Sequence, residues 1–126
     1  MRPGGGNRAP TDQGSGGCGR VLYEWRTYHA APGRMERLHR RFAEHTCRLF
    51  ERHGIRQVGY FVPTGAEGPL HYLLAYPDRS ARDAAWEAFR TDPEWQAAKA
   101  ESEKDGPLVE RIDSVFLEAT PYSPRP

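Results

Sequence analysis

Two units with the same order of elements follow each other between residues 21 and 122. Each unit begins with a short run rich in aromatic residues, continues with a helical pattern and ends with a second strand-like run. This order predicts a βαββαβ domain of the α+β class, in which four strands form one antiparallel sheet. The two helical regions can cover only one face of that sheet. The other face therefore needs a different cover.

Turn residues and changes of hydrophobic period set the predicted element bounds. The strands are expected at residues 21–28, 56–63, 70–76 and 112–120. A helix over residues 34–53 is expected to end at Gly54 in a left-handed conformation. Ser80 with Asp83 three residues later predicts a capping box that opens the second helix, and Asp92-Pro93 predicts the start of a short third one.

The first helix carries one apolar stripe at helical spacing. Its members are Met35, Leu38, Phe42, Thr46, Leu49 and Phe50. The four arginines near the start of this helix are interpreted as a solvated face balanced by glutamates. They are Arg34, Arg37, Arg40 and Arg41.

Alternation in the first strand assigns its two faces. Val21, Tyr23, Trp25 and Thr27 form the more apolar set, so we expect this set to face the helices. The intervening set includes Glu24 and Arg26 and is expected to meet a partner. The second and third strands are apolar in both alternating sets, which predicts a sheet buried on both sides. A second copy of the chain is the simplest cover, so a homodimer formed through the sheet is expected.

Composition limits the remaining classes of function. The 126 residues fit one domain, and a formal net charge of +1 gives no reason to expect nucleic-acid binding. No run approaches the roughly 18 apolar residues of a membrane span. Residues 1–19 contain seven glycines, which predicts a disordered tail before a domain at residues 20–122. Without a secretory signal, and with unpaired Cys18 and Cys47, a cytoplasmic location is expected.

His45 is the candidate catalytic residue. It lies three residues after Phe42 and four before Leu49, at or near the apolar stripe, where a neutral imidazole could act as a general base. We expect it to reach between helix and sheet toward the hydroxyl of Tyr60 or Tyr72. The alternative is a core histidine bonded to a backbone carbonyl.

Five aromatic residues are candidates for a ligand pocket between the sheet and the helices. They are Tyr23, Trp25, Tyr60, Tyr72 and Trp86. The same residues would also suit the core of any small two-layer domain, because each buries a large area. Histidine spacing gives no metal site, and no G-x-G-x-x-G or phosphate loop is present, so neither a metal nor a cofactor is predicted.

Several short motifs resemble the NIPSNAP family over about residues 21–120. The opening strand reads Y-E-W-R-T-Y from Tyr23, Pro32-Gly33 precedes the amphipathic helix, and D-P-E-W begins at Asp92. The chain departs from the family at Tyr72, where many members carry a histidine. The resemblance implies a ferredoxin-like domain that pairs through its sheet, a dimeric α+β barrel.

Two functions follow from these observations. One is a binding or interaction module of undefined activity that takes a small aromatic ligand. The other is a cofactor-independent monooxygenase or isomerase acting on an aromatic or polyketide-like substrate, as in relatives of the superfamily that the resemblance implies. A fold alone does not select between them. No catalytic pair is evident in the sequence, which favours the binding module.

Overall fold

The computed structural model describes residues 21–124. The predicted tail at residues 1–19 lies outside this part of the chain. Four antiparallel strands form one sheet in the order β2-β3-β1-β4. The strands are β1 (Leu22–Ala30), β2 (Arg56–Phe61), β3 (Leu70–Tyr76) and β4 (Val109–Leu117). The predicted ferredoxin-like βαββαβ fold is confirmed, and β4 begins three residues earlier than predicted.

The helices lie on one side of this sheet. They are α1 (Met35–Arg41), a π-helical segment (Phe42–Thr46), α2 (Cys47–Arg52), α3 (Arg79–Arg90) and α4 (Pro93–Ser102). Gly54 follows α2 with a φ of 75°, and the Asp92 carboxylate caps α4 by accepting from the Glu94 amide. The predicted capping box is wrong, because the cap of α3 is Asp78, which accepts from the Ala81 amide. The helix therefore starts one residue before Ser80.

The π-helical segment keeps the predicted apolar stripe on one side of the helix. Leu38, Phe42, Thr46 and Phe50 are spaced by four residues, and all are buried. In a regular α-helix of 3.6 residues per turn, such a row would drift around the axis. The wider π turn, in which the Cys47 amide donates to the Phe42 carbonyl, reduces that drift. The segment lies over the core opposite Tyr72.

The assignment of the two faces of β1 is wrong. Glu24 has no exposed surface and Arg26 is 8% exposed, so both lie under the helices with Tyr28. Trp25, by contrast, is only partly covered on the other side of the strand. The prediction assumed that charged side chains face solvent or a partner. Glu24 and Arg26 can instead be buried, because they are paired and hydrogen-bonded.

The face without helices, here called the open face, is apolar. Trp25, Phe61, Leu73, Val115 and Leu117 all lie on it, as their strand pairings require. The Trp25 ring stacks on the His71 ring at 5.5 Å and on the Phe61 ring at 6.0 Å. Phe61, Val115 and Leu117 remain exposed.

Candidate ligand cavity between the sheet and the helices

A cavity of about 510 Å³ lies between the helices and the β4 side of the sheet. Helices cover β4 poorly, since Ile112 points to the helix side and is still 46% exposed. Six aromatic side chains line the cavity: Tyr28, Phe42, Phe50, Trp86, Phe89 and Trp95. Charged side chains complete the lining, with Arg26, Arg41, Arg90, Lys99 and Arg111 against Glu103 and Glu110.

A network of buried charges lies behind Arg26. One carboxylate oxygen of Glu24 accepts from Tyr76 at 2.8 Å and from Arg82 Nε at 3.1 Å. The other accepts from Arg26 at 2.8 Å, from Arg82 at 3.0 Å and from Ser114 at 2.6 Å. Burial alone would raise the pKa of Glu24, but the hydrogen bonds from Arg82, Ser114 and Tyr76 and the charge of Arg26 lower this pKa to about 2. Glu24 is therefore ionised at neutral pH.

Arg26 is held rigidly where it lines the cavity. Besides Glu24, its guanidinium donates to the hydroxyls of Tyr72 at 2.9 Å and Tyr28 at 3.0 Å. The Trp86 ring lies 4.4 Å from the guanidinium carbon, and its indole N–H donates to the Tyr76 hydroxyl at 2.8 Å. Burial works against the charged form, yet Tyr28, Tyr72 and Glu24 raise the pKa of Arg26 above its ordinary value. The cavity thus has a fixed cation in its lining.

Two polar residues of the first helical region also line the cavity, Arg41 from α1 and Thr46 from the π-helical segment. Arg41 is 5% exposed and Thr46 is 2% exposed. Arg41 donates through one terminal nitrogen to Ser102 and Glu103, each at 3.2 Å, and lies 5.1 Å from the Trp95 ring centroid. Within residues 21–124, neither Arg41 Nε nor Thr46 Oγ1 has a hydrogen-bond partner.

Comparison with known protein families shows to which family this chain belongs. The NIPSNAP family model matches residues 23–124, which is most of the sequence. The chain belongs to the NIPSNAP family. No curated protein sequence matches it significantly.

Solved structures of NIPSNAP proteins share this fold. A NIPSNAP-like domain protein from Burkholderia xenovorans is similar at a TM-score of 0.72 and 21% identity, over 84% of this chain and 90% of that one. A second NIPSNAP domain protein from the same organism gives 0.69 and 25%, over 82% and 99%. A putative antibiotic biosynthesis monooxygenase from Bacteroides thetaiotaomicron is more distant, at 0.58 and 16%, over 83% and 92%.

The five predicted pocket aromatics fall into three places in this NIPSNAP domain. Trp86 alone lines the cavity. Tyr60 and Tyr72 stack on each other in the core at 5.2 Å, and Tyr72 has no exposed surface. Tyr23 and Trp25 lie on the side of β1 opposite to the helices. The structure therefore does not assemble the five into one pocket.

His45 lies away from both tyrosines that it was expected to approach. It lines an outer groove of about 300 Å³ between the first helical region and α4, together with Arg37, Arg40 and Ser102. Its Nε2 lies 3.9 Å from a Glu44 carboxylate oxygen, and its side chain is partly exposed. No sheet residue lines this groove. A catalytic role for His45 would have to be carried out there.

The buried tyrosines are poor candidates for acid–base chemistry at neutral pH. Burial is the main cause that raises the pKa values of Tyr60, Tyr72 and Tyr76. For Tyr60 the neighbouring Cys47 adds to this, and for Tyr76 the charge of Glu24 does so. Their phenols therefore stay protonated at neutral pH. Tyr60 donates to Gln57 and Tyr76 to Glu24, while the Tyr72 hydroxyl accepts from Arg26.

Sequence reasoning missed the polar members of the cavity. Arg41 was interpreted as a solvated arginine, but it is buried beside Trp95. Thr46 fits the spacing of the apolar stripe, and this spacing gives no sign of a role for its hydroxyl. Among residues 21–124, no group of three or more His, Cys, Asp and Glu side chains could hold a metal ion. Within the same residues, no helix is long and apolar enough to cross a bilayer.

Proposed function

We propose that this NIPSNAP protein is a small-molecule-binding protein whose cavity takes a ligand with an aromatic ring. The observation that supports this is the cavity itself, about 510 Å³ in volume and lined by six aromatic side chains with a few polar groups between them. Ligand sites are typically clefts of this size with mainly apolar walls and a small number of placed polar groups. Within this wall the Phe89 and Trp95 rings pack against each other, with their centroids 4.6 Å apart and their planes tilted by 32°.

The polar groups of the cavity favour binding over a reaction. An enzyme of the monooxygenase or isomerase type would need a base within reach of its substrate. Of the two glutamates in the lining, Glu103 accepts a hydrogen bond from Arg41, and Glu110 is exposed to solvent on the edge strand β4. His45 faces a different groove. Oxygen consumption or isomerisation with an aromatic or polyketide-like substrate would support the enzyme instead.

We also propose that the protein is a homodimer whose two sheets meet through their open faces. The apolar residues of this face, Trp25, Phe61, Leu73, Val115 and Leu117, form a contiguous surface across all four strands. Soluble monomers rarely expose apolar patches larger than a few hundred Å². Pairing the same surface from two copies about a two-fold axis would bury both.

Titration calorimetry with 2-naphthamide, a neutral bicyclic aromatic compound, tests the ligand proposal. We expect saturable binding to the wild type and its loss in Val109→Phe, since Val109 lines the cavity and a larger side chain would fill it. Val62→Phe is the matched control, because Val62 is exposed after β2 and lies outside the cavity lining. Binding that is equal in both variants, with melting temperatures near that of the wild type, would contradict the proposed site.

A further inference from the structure

Arg41 and Thr46 present two buried donors without acceptors at the same cavity. Buried polar groups are nearly always hydrogen-bonded, so each exception calls for an explanation. A helical threonine usually donates to a carbonyl three or four residues earlier, but Thr46 Oγ1 has no partner within residues 21–124. Arg41 precedes the π turn and Thr46 ends it, so the two residues lie about one turn apart.

One end of the Arg41 guanidinium already has hydrogen-bond partners. One terminal nitrogen is bound by Ser102 and Glu103, and the Trp95 ring lies 5.1 Å from the guanidinium carbon. These contacts orient the group and leave its Nε without an acceptor. A guanidinium N–H and a hydroxyl in the lining of the same cavity can together bind the two oxygens of one carboxylate.

Charge counts alone would not select an anion. Five cationic side chains and two glutamates line the cavity. Three of those cations, however, bind carboxylates from outside the lining: Arg26 pairs with Glu24, Arg90 with Glu87 and Arg111 with Asp113. Of the other two cations, Arg41 pairs with Glu103, and the exposed Lys99 is matched in charge by the exposed Glu110. Arg41 Nε and Thr46 Oγ1 are the buried atoms of the lining that lack a hydrogen-bond partner within residues 21–124, so they mark the position at which an anion would bind.

We infer that the ligand is an aromatic carboxylic acid whose carboxylate binds Arg41 Nε and Thr46 Oγ1 while its ring packs against Trp95. This inference rests on the proposed function and names the chemical class of its ligand. Both donor atoms are covered by neighbouring atoms in this conformation. Binding therefore includes a rotation of the Thr46 side chain and a small shift of the Arg41 edge toward the cavity.

Calorimetric titration with 2-naphthoate beside 2-naphthamide tests the inference, because the two differ only in the charged group. We expect the wild type to bind the acid at least about tenfold more tightly than the amide, as charge-assisted hydrogen bonds are the stronger ones. Thr46→Val and Arg41→Lys should each weaken binding of the acid by about tenfold and that of the amide by clearly less, because the amide offers one uncharged acceptor oxygen. Thr46→Ser should restore the wild-type affinity for the acid.

Arg40→Lys is the control for Arg41→Lys, since Arg40 lies next to it in α1 and lines only the outer groove. Equal wild-type affinity for the acid and the amide would overturn the inference and leave the aromatic cavity standing. An equal loss of affinity for the acid and the amide in Thr46→Val would also overturn the inference, because the hydroxyl would then only support the wall of the cavity. If neither compound binds the wild type, the proposed function fails as well.

Discussion

The two faces of the sheet differ in the side chains that they bury and expose. The helix-covered face contains Glu24 and Arg26, both deeply buried, with Arg82 reaching them from α3. The open face carries Trp25 between them in the sequence, and Phe61 and Val115 remain exposed beside it. Over residues 24–26 of β1, the charged side chains are thus inside and the apolar one outside, the reverse of the usual alternation along a strand.

This difference teaches that burial follows hydrogen bonding as much as hydrophobicity. Glu24 receives five hydrogen bonds from four residues, so its charge is fully compensated under the helices. Val115, by contrast, is 53% exposed, and the homodimer proposed above would bury its apolar surface. The covered face therefore contains the core and the cavity, while the open face is the surface to which the proposed dimer assigns a role.

The largest expected effect comes from removing one acidic side chain from each face and comparing the two losses in the free energy of unfolding. Glu24→Ala leaves Arg26 buried without its carboxylate, so we expect a loss of about 3–5 kcal/mol in the free energy of unfolding. Asp113→Ala removes an exposed acid that pairs with His29 and Arg111, and should cost roughly 0–1 kcal/mol. Urea denaturation measures both. Equal losses would mean that the buried network does not stabilise the fold.

A second pair of variants separates assembly from ligand binding. Val115→Arg puts a charge on the open face, so sedimentation equilibrium should show the dimer weakened by about a hundredfold or more. Ile112→Arg makes the same change on the other side of β4, where the side chain lines the cavity. This variant should remain dimeric and lose affinity for aromatic ligands. A wild-type protein that is already monomeric at micromolar concentration would contradict the dimer.

Most of the fold could be predicted because local signals agree with it. The Asp92-Pro93 start and the left-handed Gly54 are chemical requirements of a helix start and end, and both occupy the predicted places. The predicted β3 matches the observed strand at both ends. Two helix features were less visible. Asp78 competes with Ser80 as a cap, and no simple sequence signal announces a π turn over residues 42–46.

A pocket between the sheet and the helices could be predicted, and Trp86 does line it, but its polar lining could not, because those side chains depend on partners that are distant in sequence. Glu24 is bound by Ser114, which lies 90 residues later, and Arg41 by Glu103, which lies 62 residues later. Without those partners, Glu24, Arg26 and Arg41 have the sequence signature of solvated charges. His45 shows the opposite error, since a place near an apolar stripe did not bring it to the sheet side of the helix.

The smallest expected effect is a change in the pH dependence of stability when the buried acid of the helix-covered face, Glu24, is replaced. The pKa of Glu24 is lowered to about 2 in the folded protein, below the ordinary glutamate value of 4.5. A lowered acid pKa stabilises the fold above the unfolded-state value, and this stabilisation is lost as the pH falls from about 4.5 toward 2. We therefore expect the unfolding free energy of Glu24→Gln to fall less steeply over this range than that of the parent.

Measuring both in the Val115→Arg background removes any contribution from dimer dissociation. Asp92, whose pKa is also about 2 mainly because of its hydrogen bond with His53, is present in both proteins and cancels. Parallel curves would mean that Glu24 has an ordinary pKa when folded, and that the charge under the helices is less well compensated than its five hydrogen bonds indicate.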